Sequence, residues 1–252
     1  MFRWFKQSLI VALSMLALPL AAETLQVGFG PHRPPYVFEN QAKGLEYELF
    51  VAAAHSAGFI VQGYFGPVAR LKVMLEERKL DALSSMFFEH ELVSHFSEPY
   101  VTYRDMAVAL DKRGLQIRSI ADLSKYSIST FKHASRILGP EFSAMAASNK
   151  AYREELRQVN RNKLLYSGRV DVVVADPMIL QFFNTEVAHS VDIHQPLRWY
   201  DVFKPVHYQG AFARDVQRDR FNIGLAAIRA DGTYARIEAK YRKTLPKQHV
   251  GR

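Results

Sequence analysis

Short apolar runs and stretches of helical spacing alternate twice along this chain, and that alternation leaves few folds open. Residues 24–29 read as a strand, and residues 60–65 and 80–86 as two more. Between them, Leu45, Leu49, Phe50, Ala53 and Ala54 recur at helical spacing, as do Leu71, Val73, Met74 and Leu75 over residues 68–78. The loop after the first strand carries Pro31, Pro34 and Pro35, which exclude helix there and hold the backbone extended. The pattern then returns. Residues 127–131 predict a strand, and residues 134–147 and 152–166 two helices. Residues 170–175 are Val-rich and unbroken, as a buried parallel strand should be. A last strand is expected at 206–213 and a C-terminal helix over 220–242, with a break at Gly232. Such alternation predicts α/β units with parallel strands. Two of them in one chain predict two lobes, with a junction at 111–114 and a return crossing at 200–204. Ligands in such folds bind at the carboxyl ends of strands or between domains.

The N-terminus has the layout of a secretory leader. Arg3 and Lys6 precede an apolar run from Leu9 to Leu20, and Leu20-Ala21-Ala22 ends it on small residues before Glu23. That run of about 12 apolar residues falls short of the roughly 20 needed to span a bilayer. A signal peptide over residues 1–22 and a periplasmic mature protein are therefore expected. About 230 residues would remain, ample for a real core. The sequence has no cysteine, which excludes disulfides, thiolate metal sites, a cysteine nucleophile and a lipid-modified N-terminal Cys. The formal charge is +8, lowered by two when Arg3 and Lys6 are removed. The basic residues are scattered, so the excess reads as a solubilising surface or mild attraction to anions, with no nucleic-acid partner.

The order of segments resembles the bacterial extracellular solute-binding proteins of family 3. Pro34-Pro35-Tyr36-Val37-Phe38 resembles the family's loop after the first strand, and Gly44-Leu45-Glu46-Tyr47-Glu48-Leu49 its first helix start. Lys79-Leu80-Asp81-Ala82 with Phe96-Ser97-Glu98-Pro99-Tyr100 resembles its strand-and-crossover pair. Ser119-Ile120-Ala121-Asp122-Leu123 resembles the opening of its second lobe, and Gly168-Arg169-Val170-Asp171 with Asp176 the far wall of its cleft. Phe221-Asn222, Asp231-Gly232-Thr233-Tyr234 and Tyr241 resemble its closing helix. The resemblance implies an α/β, two-lobed type II periplasmic-binding-protein fold with a hinged inter-lobe cleft. Residues 23–110 would begin lobe 1, 111–200 form lobe 2, and 201–252 return to lobe 1. It implies a monomer that captures a small polar ligand, amino-acid-like or an organic acid, for a membrane permease of the ABC type. A sensory ligand-binding module and a periplasmic dehydratase-like enzyme share the fold and stand as alternatives. No cofactor is called for.

One departure bears on the ligand. Amino-acid binders of the family carry an Arg after the Ser-rich strand, where it grips the ligand carboxylate in a two-pronged pair. Here that stretch reads Ser84-Ser85-Met86-Phe87-Phe88-Glu89-His90-Glu91, without an Arg. A ligand other than an ordinary α-amino acid is therefore expected, with Arg33 or Arg70, and not His90, as the cleft's main positive charge. A hinged cleft needs polar groups from both lobes. The first would supply Arg33, Tyr36, Arg70, Ser84 and Ser85. Arg33 is either a fork of donors or a solvated loop charge. Arg70 opposes the dipole of its own helix, which favours a ligand role over a plain surface one. The second lobe would supply Phe131, His133, Ala134, Ser135 and Asp176. Ser135 sits near a helix start, as an anion site or an ordinary cap. Asp176 ends a strand; the resemblance implies that it meets a ligand amino group, while Pro177 after it suits a helix cap. His90, His95 and His133 match no metal-ligand spacing. An enzyme would need a general acid, for which Glu89, Glu91 and Asp176 are the candidates.

Overall fold

The computed structural model describes residues 23–86 and 94–242. The expected leader, Phe87-Phe88, Glu89, His90 and Glu91 lie outside the described residues. The chain opens with β1 (Glu23–Phe29), α1 (Leu45–Ser56), β2 (Phe59–Phe65), α2 (Val68–Glu76) and β3 (Ala82–Met86). Short strands β4 (His95–Phe96) and β5 (Val101–Tyr103) lead to β6 (Met106–Leu110). Then come β7 (Ile128–Phe131), α3 (Ala134–Ile137), α4 (Pro140–Ser148), β8 (Tyr152–Glu155), α5 (Gln158–Tyr166) and β9 (Val172–Ala175). The last elements are α6 (Pro177–Val187), β10 (Leu197–Tyr200), β11 (Val206–Phe212), α7 (Asp215–Ala230) and α8 (Thr233–Arg242).

These strands form two sheets, one per lobe. The first has the order β2-β1-β3-β11-β4, with β5 also against β11; the second has the order β10-β6-β9-β7-β8. Within each β-α-β unit the strands are parallel: β1 with β2 and β3, and β7 with β8 and β9. To these parallel strands the sheets add β11 and β6, which run antiparallel to their neighbours. Both are strands by which the chain crosses between lobes, so they enter a sheet from its opposite end. The first crossing falls between β5 and β6, ahead of residues 111–114, because all five residues of β6 are buried in the second sheet. The second falls between β10 and β11. Arg104 and Asp201 form an ion pair that ties the two crossings together.

Two expected helices are also corrected. Residues 152–155 form an edge strand in register with β7, Ile128 opposite Tyr152 and Phe131 opposite Glu155. Tyr-Arg-Glu-Glu has helix-forming residues, but an edge strand accepts such charge and pairing with β7 decides its state. The helix over 134–147 is two, because Gly139 turns with φ 92° and Pro140 starts α4 at its first turn. Gly232, with φ 77°, divides α7 from α8 in the same way.

In the first lobe Phe50, Tyr100, Phe212 and Phe221 are fully buried. Phe50 and Phe221 meet with ring centroids 4.6 Å apart, joining α1 to α7. Each such ring stabilises the lobe by roughly 1.5–3 kcal/mol through burial. Glycine at 224 permits the approach, since a Cβ there would lie 2.1 Å from the Ala53 carbonyl oxygen. The second lobe packs around Ile128, Phe142, Val172 and Val174. The start of α6 crosses between them: Met178, Ile179 and Phe183 join the first lobe's core.

Candidate binding cleft

A cavity of about 1020 Å³ lies between the lobes. Its first wall includes His32, Arg33, Ser85, Val68, Lys72 and Tyr208; its second includes Phe131, His133, Ser135, Arg161 and Asp176.

The first wall is set by the proline loop. Arg33 N–H donates to the Val37 carbonyl, and the Tyr36 and Val37 N–H groups return to the Arg33 carbonyl. The loop is pinned to the start of α1, whose Leu45 and Glu46 N–H groups donate to the Pro35 and Tyr36 carbonyls. These helix-start donors have no partner within the helix, so a neighbouring loop satisfies them. The turn carries Arg33 back over Glu46. The Arg33 guanidinium donates to Glu46 Oε2 and to Ser85 Oγ, both at 3.1 Å, and lies over the Tyr103 ring. Glu46 is fully buried and also accepts from Ser84 Oγ at 2.8 Å and Tyr103 OH at 2.7 Å. Burial works against the Arg33 charge, but Tyr103 and Glu46 hold its pKa above the ordinary arginine value. Ser85 takes a left-handed turn, φ 50°, at the end of β3, and its N–H donates to Tyr100 OH. Ser84 points to Glu46 behind the wall.

Asp176 stands at the carboxyl end of β9. It lines the cavity, and it caps α6 by accepting from the Met178 and Ile179 N–H groups at 2.9 and 3.3 Å. Its other oxygen accepts from Tyr36 OH at 2.8 Å and from the Arg104 N–H at 3.1 Å. Burial raises its pKa, and these four bonds oppose the rise. Tyr36 is buried behind the cavity wall, stacked on Tyr103 with centroids 3.8 Å apart.

The expected anion site at Ser135 is filled from within the chain. Glu154 accepts from the His133 N–H at 2.7 Å, the Ser135 N–H at 3.1 Å and Ser135 Oγ at 2.9 Å. Burial disfavours its charge, but these bonds overcome that and lower its pKa. Ala134 is buried in the second lobe's core and does not line the cavity.

The structure does not bring Arg70 to the cavity: it is exposed and lies outside the lining. Leu71 and Leu75 fix the buried side of α2. At 3.6 residues per turn, Val68, Ala69 and Lys72 then share the cleft side and Arg70 faces away. Lys72 is the cleft cation of this helix.

Two buried charged residues escaped sequence reasoning. Asp105 sits in the first crossing, between two strands that carry no distinctive pattern. Burial and the nearby Asp176 push its carboxyl up to about 7, while Arg161 and Arg33 pull the other way. Arg161 lies on α5, only 2% exposed. It donates to the Val174 carbonyl at 2.8 Å and stands near the Phe131 ring. Burial lowers its pKa to about 10, with Asp105 and Asp176 opposing. An Arg in a polar helix stretch reads as surface, and no sequence signal marks it otherwise. Among the described residues, no three His, Asp or Glu side chains gather as metal ligands would, and no helix is long and apolar enough to cross a membrane.

The family model for bacterial extracellular solute-binding proteins, family 3, matches residues 25–244. The chain belongs to this family. Its two-lobed architecture is the type II periplasmic-binding fold. Several solved structures share it. The arginine-, lysine-, histidine-binding protein ArtJ from the thermophilic bacterium Geobacillus stearothermophilus is 16% identical, with a TM-score of 0.64 over 89% of this chain and 97% of that one. The GluR0 ligand-binding core in complex with L-glutamate is 17% identical, TM-score 0.68, covering 88% and 99%. A histidine kinase sensor domain with similarity to periplasmic binding proteins is 21% identical, TM-score 0.67, covering 88% and 96%. Among curated proteins, none matches the chain. At these identities the neighbours of this family-3 solute-binding protein establish its fold and leave its ligand to its own cleft.

Proposed function

We propose that this protein captures a small polar solute bearing a negative charge, an organic acid or a modified amino acid, between its lobes. One observation carries the reading. Arg33, Lys72, Lys132, Arg136 and Arg161 line the cavity against Asp105, Glu155 and Asp176, and Asp105 titrates near neutrality. The wall is therefore cationic on balance, and an anion entering it offsets the cost of burying those charges. The crossings at Arg104 and Asp201 act as the hinge between lobes bounded near those residues. The solute then passes to a membrane partner, an importer or a sensor. The sensor-domain neighbour keeps the second partner in view. Export to the periplasm fits the family's description and the apolar run before Glu23.

Binding without turnover fits the cleft better than catalysis. Asp176, the general-acid candidate of the sequence that lies among the described residues, is engaged by four hydrogen bonds. The test is a thermal-shift panel of anions, zwitterions and amines on the purified mature protein. Anions should raise the midpoint; a ligand at a hundred times its Kd adds about 2.7 kcal/mol. Stabilisation by amines alone, or by nothing in the panel, contradicts the reading.

A further inference from the structure

We propose that Arg161 is the residue that grips the ligand's carboxylate, and that the preferred ligand is a carboxylic acid without a neighbouring ammonium group. The inference rests on the anion-binding reading above and names the atom contact within it.

Three observations on the second wall carry it. Arg161 is 2% exposed and lines the cavity. Its one hydrogen bond is to the Val174 carbonyl, and its Nε is buried with no partner among the described residues. No carboxylate of the described residues forms an ion pair with it, whereas Arg33 on the opposite wall is paired with Glu46. A buried guanidinium without a direct counter-ion is costly, and its remaining N–H groups are arranged as a fork that fits one carboxylate. An incoming acid supplies what the chain does not. Arg33 also has an unpartnered Nε, but its Nη2 is held by Glu46 and Ser85 and its charge is already paired.

The carboxylates of that wall are already engaged: Glu155, which lines the cavity, meets Arg153 Nε and Asn160 Nδ2, both at 3.4 Å. Asp176 has both oxygens engaged, by Tyr36 and the Arg104 N–H on one side and by the α6 start on the other. Glu154 is engaged by the His133 and Ser135 N–H groups. Asp105, buried in the first crossing and lining the cavity, has its pKa raised to about 7 by burial and by Asp176, which disfavours its charged form.

The experiment is calorimetry with matched pairs: glutarate against glutamate, 3-phenylpropionate against phenylalanine, and 5-guanidinopentanoate against arginine. The parent should bind at least one deaminated acid more tightly than its amino-acid partner. Arg161→Lys keeps the charge and removes the fork, and it should weaken that acid by about ten- to a hundredfold. Arg161→Gln is the second variant, with the same expected loss, and circular dichroism checks that each folds. A folded Arg161→Lys that binds within twofold of the parent overturns the anchor. Amino acids preferred throughout overturn the ligand class. Silence from every matched acid overturns this assignment alone if other anions stabilise the parent, and the functional reading with it if none does.

Discussion

Tyr36 of the first lobe donates its hydroxyl to Asp176 of the second at 2.8 Å, at a site where both side chains are buried. This bond joins the proline loop of one lobe to the start of α6 in the other, at the same carboxylate that caps the helix. Tyr36→Phe removes it while leaving Asp176 its three backbone donors. A bond to a charged acceptor contributes about 1.5–3 kcal/mol, and the variant should lose an amount near the lower figure in urea unfolding. Asp176→Ala should lose more, because the α6 cap goes as well. Equal stability of Tyr36→Phe and the parent would show that the contact does not hold the lobes.

Much of the architecture was legible from residue pattern, because burial dictates it. The Val-rich run that became β9 and the apolar stripe of α1 have no other low-energy disposition in water. The misreadings lie where tertiary contacts overrule local preference. Tyr152–Glu155 carries helix-forming residues and is a strand because β7 offers an edge. In the cleft, Arg33, Ser85, Phe131, His133, Ser135 and Asp176 line the cavity, while Tyr36, Ser84 and Ala134 lie behind its walls and Arg70 faces outward. Asp105 and Arg161 were invisible because their burial follows from tertiary packing, for Arg161 against Val174 and Phe131 of its own lobe, which no local spacing encodes.

Glu46 organises the first wall from beneath. It is fully buried and accepts from Arg33, Ser84 and Tyr103. Glu46→Ala leaves a partly buried guanidinium and two hydroxyls without their acceptor, a change of about 3 kcal/mol, the low end for a buried pair. Glu46→Gln keeps the shape and should lose less. Denaturant midpoints at constant slope measure both, and an Ala variant within 1 kcal/mol of the parent, about the noise of such titrations, would contradict the role.

Glycine at 44 is needed twice over. Its φ of 124° is unfavourable for any side chain, and a Cβ there would lie 2.1 Å from the Tyr36 carbonyl oxygen. Gly44→Ala should destabilise by at least about 1–3 kcal/mol from strain alone. It should also loosen the loop carrying Arg33 and Tyr36, so ligand affinity falls with stability. An Ala variant that folds and binds like the parent would separate that loop from the start of α1.

Asp105 gives the protein a pH signature. Its folded pKa, about 7, lies above the ordinary 3.8, so the native state holds a proton that the unfolded chain releases. Between those values stability falls as pH rises, and above about pH 7 the loss is complete, on the order of 4 kcal/mol. Asp105→Asn removes the penalty. The variant should match the parent near pH 4 and exceed it near pH 8 in urea titrations. A parent–variant gap that does not widen with pH contradicts the assignment.

Under the proposed function the cleft holds an organic acid or a modified amino acid and leaves it unchanged. Titrating the tightest-binding acid of the matched series into the mature protein, then recovering and weighing the ligand by mass spectrometry, tests it most directly. The account predicts one ligand per chain, recovered intact after prolonged incubation. Absence of saturable heat, or recovery of a converted product, would contradict it.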